Sequence, residues 1–432
     1  MKRRRRSDLP AACLFLGPNF VGFLAFVAFP LIFSIVMAFT NWDLSLHNRF
    51  REDSIQWVWL RNFHDLLTHR DFWKYFGNTV FLMLGVPVGI AGSLFLASLL
   101  TRPLRAGRAS VRWPIAAASL LGFGGLGCWF WAGGLGPVAL VFCLLAGGVL
   151  ALGVTTGATV YRTLFYLPHF TSGVAVFILW KQMYNPIRGP INQALQPALD
   201  SLARFVAATP SGLWAAGGYL LMTVAVAGSA WLLSATVRNW LDREFGFGTV
   251  LMGVATVTVG ALILIGLGVV ACRLPGWAVD GLETPNWLGH VAWAKPALMI
   301  MGFWAAVGSN NMLLYIAGIS NIPQELYEAA DSDGASRWQR FRHVTWPQLA
   351  PTTFFIVIMS VIGGLQGGFE QARAMTGGGP FGATTTMAYF VYNEGFETGR
   401  LGFASSVAWV IFVMVFAMTL INYRFGSRYV NE

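Results

Sequence analysis

Ten stretches of this chain carry no Asp, Glu, Lys or Arg: residues 11–39, 76–100, 113–131, 138–160, 163–180, 213–237, 249–271, 296–323, 351–369 and 401–423. Each reaches, or comes within a residue or two of, the roughly 20 apolar residues that cross hydrocarbon, where only a helix satisfies its own backbone. The pattern predicts an all-α integral membrane protein with about ten transmembrane helices. Charged residues make up 11% of the 432, against about 25% in soluble domains. The first stretch follows MKRRRR, yet it exceeds a signal h-region of about 7–15 residues and lacks a small-x-small cleavage site. It is expected to stay as an uncleaved first span.

Orientation follows from the cations. With the N-terminus inside, Lys2 to Arg6, Arg102, Arg105, Arg108, Arg112, Arg162, Arg238, Arg243, Arg337, Arg340, Arg342, Arg424 and Arg428 face the cytoplasm, 17 of the 29 Lys and Arg. Both termini are therefore expected on the cytoplasmic side. The formal charge of +10 is a topology signal and not a nucleic-acid footprint.

What is missing weighs against several functions. Ion-driven carriers keep ionisable residues at membrane depth, and the ten stretches offer one imidazole, His169, beside Pro168. Lys2, Lys74, Lys181 and Lys295 are the only lysines, and none ends a phosphate-binding GxxxxGK[ST] loop. ATP-driven work needs another polypeptide. HExxH, GxSxG and zinc-spaced His/Cys clusters are absent, so no catalytic residue, metal site or cofactor is expected. Cys13, Cys128, Cys143 and Cys272 have no ligand spacing and read as small hydrophobes.

Between two apolar stretches lies EAADSDGASRWQRFRHVTWPQLAP, Glu328 to Pro351. Its local chemistry reads helix, turn, helix. Asn321 is placed to cap the first helix, with Pro323 in the opening turn and Gln324 reaching back. Gly334 supplies a left-handed exit. Ser336 with Gln339 forms a second capping box, and Pro347 is expected to break the second helix. Two capped helices with small residues at the bend make a rigid knob, or a connector packed under its own bundle.

The stretch resembles the EAA loop of permease subunits in binding-protein-dependent ABC importers. Glu328, Ala329, Ala330, Asp333, Gly334, Ala335, Phe341 and Pro347 match that pattern, while Asp331, Ser332 and Trp346 replace usually apolar residues and imply a more polar docking surface. FVAFPLIFSIVMAFTNWD, RNFHDLLTHRDFWKYFGNTV, YRTLFYLPHFTSGVAVFILWKQMYNP, NMLLYIAGISNIPQELYEAA, TGGGP and FETGRLGFASS stand in the order of the carbohydrate branch, similar to maltose- and glycerol-phosphate-type permeases.

The resemblance implies a translocation path for a sugar or polyol and several partners: two cytoplasmic ATPase subunits, a second permease of a different chain, an extracytoplasmic solute-binding protein and surrounding lipid. No nucleic acid is called for. It also implies that the EAA helices lie in an ATPase groove, with Glu328 toward a basic group and Ala329, Ala330 and Gly334 permitting close approach. Asn310, Asn311, Ser360 and Gln366 are candidates for sugar hydroxyls, or else for interhelical hydrogen bonds of about 0.6–2 kcal/mol. The rival readings are a membrane-embedded transferase or other lipid enzyme, and a self-sufficient secondary carrier.

Resemblance covers 14–108, 160–195 and 286–424. The expected organisation is a basic N-terminus (1–10), core spans with an external loop (11–108), an inserted helix pair (109–159), a core span (160–195), a second inserted pair with flanking loops (200–282), core spans carrying the EAA loop at 320–350 (286–424), and a cytoplasmic tail (425–432). A six-span core plus two inserted pairs accounts for ten helices. The inserts, rich in Gly and Ala, either pack through small residues or meet lipid. The external loop 41–74 is expected to be a docking or lid segment, with His47, His64 and His69 exposed to solvent.

Overall fold

The computed structural model describes residues 9–47, 54–101, 109–130, 136–156, 158–170, 173–241 and 247–430. The cationic segments 1–8, 102–108 and 242–246, which the orientation count draws on, lie outside them, as do residues 131–135 and 431–432. The described elements are helical, with one isolated antiparallel bridge between Thr40 and Trp57. Among the described residues six helical segments are long and apolar enough to cross a membrane, and seven if a pair bent by 65° counts as one span, fewer than the ten stretches of the sequence. The chain forms two compact units, Met1–Gln182 with Asn286–Glu432, and Met183–Pro285.

The first unit opens with α1 (Leu9–Phe23) and α2 (Phe29–Ala38), joined by a π-helical turn, Leu24–Ala28. Pro30 has no N–H to donate, and the wider turn carries the helix across the gap. A loop and α3 (Arg61–Thr68) lead to α4 (Arg70–Met83) and α5 (Gly85–Leu100). The loop is stitched down: Leu44 N–H donates to Gly399 O at 2.9 Å, and Asn62 Nδ2 to Ala38 and Thr40 carbonyls at 2.9 and 2.8 Å. Partial burial pushes the Asp43 carboxyl up, but hydrogen bonds from Ser45 and Leu46 and the nearby Arg400 outweigh it and hold it below the usual value. His64 and His69 are exposed as expected, His69 capping α4, while His47 is half-buried and bonds back to Asp43.

Next come α6 (Ala109–Phe130) and α7 (Gly136–Thr156), an antiparallel pair. A Cβ at Gly127 would sit 2.9 Å from Leu140 Cα, and one at Gly147 2.9 Å from Phe123 Cβ, so small residues set this approach. The stretch 163–180 is divided between α8 (Ala158–Phe170) and α9 (Gly173–Met183).

In the second unit, α10 (Pro190–Ala208) precedes an antiparallel hairpin of α11 (Ser211–Leu241) and α12 (Phe247–Asp280). Here Gly218 and Gly268 face one another: a Cβ on Gly268 would lie 2.7 Å from Gly218 O, and one on Gly218 2.6 Å from Gly268 O. Backbone cannot give way as a side chain can.

The first unit resumes with α13 (Val291–Val307) and α14 (Asn310–Ser320), separated by a break at Gly308–Ser309. Short helices α15 (Gln324–Ser332), α16 (Arg337–Arg340) and α17 (Trp346–Gln348), with a π turn at Phe341–Thr345, precede α18 (Ala350–Gln366). Then α19 (Phe369–Gln371), α20 (Met387–Tyr392) and the long α21 (Leu401–Val430) complete the chain. One buried cluster, with Leu66, Phe72, Leu365, Met387, Phe390 and Val407, ties α3, α4, α18, α20 and α21 together. Another, with Leu94, Ala97, Leu100, Met312, Tyr315, Leu349 and Ile356, ties α5 and α14 to α18.

The hairpin geometry sets a test. Gly268→Leu forces α11 and α12 apart and lowers the unfolding midpoint, as overpacking costs about 1–3 kcal/mol. Gly266→Leu, where an added Cβ meets nothing within 4 Å, leaves it unchanged. Thermal unfolding of the purified variants in one detergent reads the difference.

Candidate functional site

The block around Gly334 is built by local rules and braced by contacts that local rules do not show. Asn321 does not open α15. It closes α14, its N–H donating to Ala317, Gly318 and Ile319 carbonyls, and the extended backbone of Pro323 stands at the start of α15 instead. The Gln324 amide is correspondingly turned forward, donating to Glu328 Oε1 at 3.0 Å.

At the far end Gly334 has φ +73°, Ala335 N–H donates to Ala330 O at 2.9 Å and Gly334 N–H to Asp331 O at 3.0 Å. This pair of bonds is the Schellman exit. A Cβ at Gly334 would meet nothing within 4 Å, so backbone conformation and not space demands glycine. Ser336 then caps α16 reciprocally: Gln339 N–H donates to Ser336 Oγ at 3.3 Å, and Ser336 N–H to Gln339 Oε1 at 2.8 Å.

Pro347 lies one residue before the end of the second helix, so the expected break falls beside it. The π turn at Phe341–Thr345 absorbs the missing donor, α17 follows, and the chain bends 65° between Gln348 and Ala350.

Two contacts lock α15 against the second helix. Arg340 Nη1 reaches both Asp331 oxygens, at 2.6 and 2.7 Å, and Tyr327 Oη meets Thr345 Oγ1 at 3.0 Å. Asp331 and Ser332, whose polarity implied a more polar docking face, make bonds inside the block, Ser332 Oγ to Glu328 O. Glu328, Ala329, Asp333, Gly334 and Pro347 are exposed, while Ala330, Ala335 and Phe341 are half-buried. The inner face, Tyr327, Phe341 and Val344, packs on the cluster of fully buried Leu349, Tyr315 and Ile356.

None of the four candidate path residues lines the cavity described next. Asn310 and Asn311 open α14, with Asn311 N–H bonded to Ser309 Oγ at 3.3 Å, Ser360 lies within α18, and Gln366 is its last residue. A cavity of about 210 Å³ opens instead among α4, α5, α13 and the end of α18. Thr79, Gln371 and Thr386 supply its polar side chains, and Gly363, Gly364, Gly367 and Gly368 expose backbone to it.

TGGGP closes this region as an ordered loop. Asn78 Nδ2 donates to Gly382 and Thr385 carbonyls, both at 2.9 Å, and Met387 N–H to Thr79 Oγ1 at 3.0 Å. Gly378, at φ +79°, leaves no room for a side chain, since a Cβ would lie 2.5 Å from Thr385 Oγ1.

Residues 14–430 match the family described as binding-protein-dependent transport system inner membrane component. The chain belongs to that family. It is a multi-pass membrane transport component rather than an enzyme. It is similar to the probable ABC transporter permease protein YesP of Bacillus subtilis (strain 168), 24% identical over 438 residues covering 100% of this chain and 96% of the relative. The sn-glycerol-3-phosphate transport system permease protein UgpA of Agrobacterium fabrum (strain C58 / ATCC 33970) is 40% identical over 123 residues, 28% of this chain and 42% of the relative. The fold is similar to that in the crystal structure of a bacterial ABC transporter involved in the import of the acidic polysaccharide alginate, with TM-score 0.58, 18% identity and 99% of each chain covered.

The cap and brace predict separable effects. Ser336→Ala costs about 0.5–2 kcal/mol of local stability and Arg340→Gln frees Asp331. Hydrogen exchange across 324–348 therefore accelerates in both variants, while exchange in α21 is unaltered.

Proposed function

We propose that this chain is one permease subunit of an ATP-driven importer for a sugar or related polyol, with the Gly334 block as the place where a separate ATPase applies force. The carrying observation is the block itself: a braced knob whose outer face is exposed and whose inner face is packed on α14 and α18, in a member of the binding-protein-dependent family. The solute class draws its support from the glycerol-phosphate and polysaccharide systems of similar chains. An extracytoplasmic binding protein delivers the solute, a second, different permease chain completes the path, and two cytoplasmic ATPase subunits bind the knobs.

In this reading the membrane is the bacterial cytoplasmic membrane, both termini and the block are cytoplasmic, and Glu328 faces a basic group of the ATPase with Ala329 and Gly334 allowing close approach. Pairs 109–159 and 200–282 are inserts on a six-span core. The UgpA alignment takes in a larger share of the relative than of this chain, which makes that relative the shorter one. The cavity beside Gln371 is the better candidate for solute contact than Asn310, Asn311, Ser360 or Gln366, because polar side chains and bare glycine backbone converge there.

Two experiments test this. Gly334→Val places a branched residue at φ +73°, with strain of about 1–3 kcal/mol; ATPase co-purification and ATP-dependent uptake both fall, and unaltered coupling contradicts the proposal. Alkaline phosphatase fusions at Gly134, Asp242 and Asp280 read external, internal and external, and a reversal at any of them breaks the assigned topology.

A further inference from the structure

Behind the Gly334 block, between it and the ends of α5 and α14, lies a cavity of about 810 Å³. That is within the range of about 300–1,000 Å³ typical of small-molecule sites. Its lining combines apolar and cationic side chains. Ile319, Ile322 and Phe341 make an apolar surface continuous with the spans, while Arg337, Arg340 and Tyr327 line the side toward the block.

The lining contains two guanidiniums and no carboxylate. Arg340 is matched by Asp331; Arg337 forms no ion pair among the described residues. The hydroxyls of Ser98 and Thr101 already donate to α5 carbonyls, and Arg340 spends Nη1 and its charge on Asp331, so the uncompensated cation of the lining is Arg337, with the second N–H of the Gln324 amide, Nε and Nη2 of Arg340 and one hydroxyl of the Tyr327–Thr345 pair as further donors.

The geometry points to a site for the phosphate headgroup of an anionic phospholipid, its phosphodiester on Arg337 and its glycerol backbone against Ile319 and Ile322. Basic pockets between helix ends at a membrane face hold such headgroups, and a bare phosphate would leave the apolar wall unused. A lipid seated here wedges between the knob and α5, adding stiffness to the connection that the apolar cluster already makes. The inference rests on the proposed cytoplasmic placement only for which leaflet supplies the lipid.

Native mass spectrometry of the intact chain in detergent, titrated with phosphatidylglycerol or phosphatidylcholine, decides it without any transport step. Phosphatidylglycerol adducts persist at lower lipid concentration than phosphatidylcholine adducts. Arg337→Gln weakens them about five-fold, the share one arginine contributes at an anionic surface. Arg337→Lys keeps most of the preference, and Arg424→Gln, which removes an exposed charge outside the cavity, keeps all of it. Equal binding of the two lipids, or phosphatidylglycerol binding indifferent to Arg337→Gln, overturns the proposal. Displacement of the lipid by inorganic phosphate overturns it in favour of a free-anion site. Loss of ATPase co-purification in Arg337→Gln with lipid binding intact overturns it in favour of a protein contact.

Discussion

The contact on which the rest depends is apolar: Tyr327, Phe341 and Val344 of the Gly334 block resting on Leu349, Tyr315 and Ile356. The last three have no exposed surface. A polar tether here would exchange partners with water as the block moved. A close-packed cluster transmits displacement because its side chains have nowhere to relax. Gly318 tightens the joint further, since a Cβ there would lie 2.8 Å from Leu349 Cδ2. The Arg340 to Asp331 pair and the Tyr327 to Thr345 hydrogen bond then make two short helices behave as one body.

From this joint α18 runs 17 residues, about 25 Å at 1.5 Å per residue. Its far end is where Gly363, Gly364, Gly367 and Gly368 line the smaller cavity. One rigid element therefore has the knob at its root and the candidate solute cavity at its tip. The tip region is anchored elsewhere: Asn78 and Thr79 of α4 hold the TGGGP loop, and Glu394 pairs with Arg400 at the base of α21. Near its tip Leu365 of α18 belongs to the buried cluster that holds Phe72, Met387, Phe390 and Val407, so the cavity end of the helix is packed as its root is.

Much of the fold was legible because bilayer helices are written in composition and helix ends in single residues. Gly334 and the Ser336/Gln339 box follow from backbone geometry within four residues. The Asn321 reading failed because it rested on local sequence alone. Asn321 caps whichever helix reaches it first, and α14 extends to Ser320. Pro347 marks the break to within two residues, the π turn at Phe341–Thr345 leading into it and the 65° bend following between Gln348 and Ala350. Hydropathy also hid the break at Gly308–Ser309, where a Cβ on Gly308 would lie 2.0 Å from Phe165 O. That tertiary approach turns Asn310 and Asn311 into a helix start. Thr79 lies within an apolar stretch, but a hydroxyl there is no rarer than a core threonine, while Gln371 and Thr386 fall outside the stretches searched. What brings the three together is the fold.

The central claim is that the Leu349 cluster carries force from the block into α18, and the most direct measurement is solute imported per ATP hydrolysed by the complete importer carrying Leu349→Ala. That truncation opens a cavity at the joint, a change worth about 2–5 kcal/mol in a packed core, and leaves the exposed face of the block intact. The account predicts that the ATPase stays bound and hydrolyses ATP while import per ATP falls severalfold. Import per ATP equal to that of the unaltered protein would contradict it.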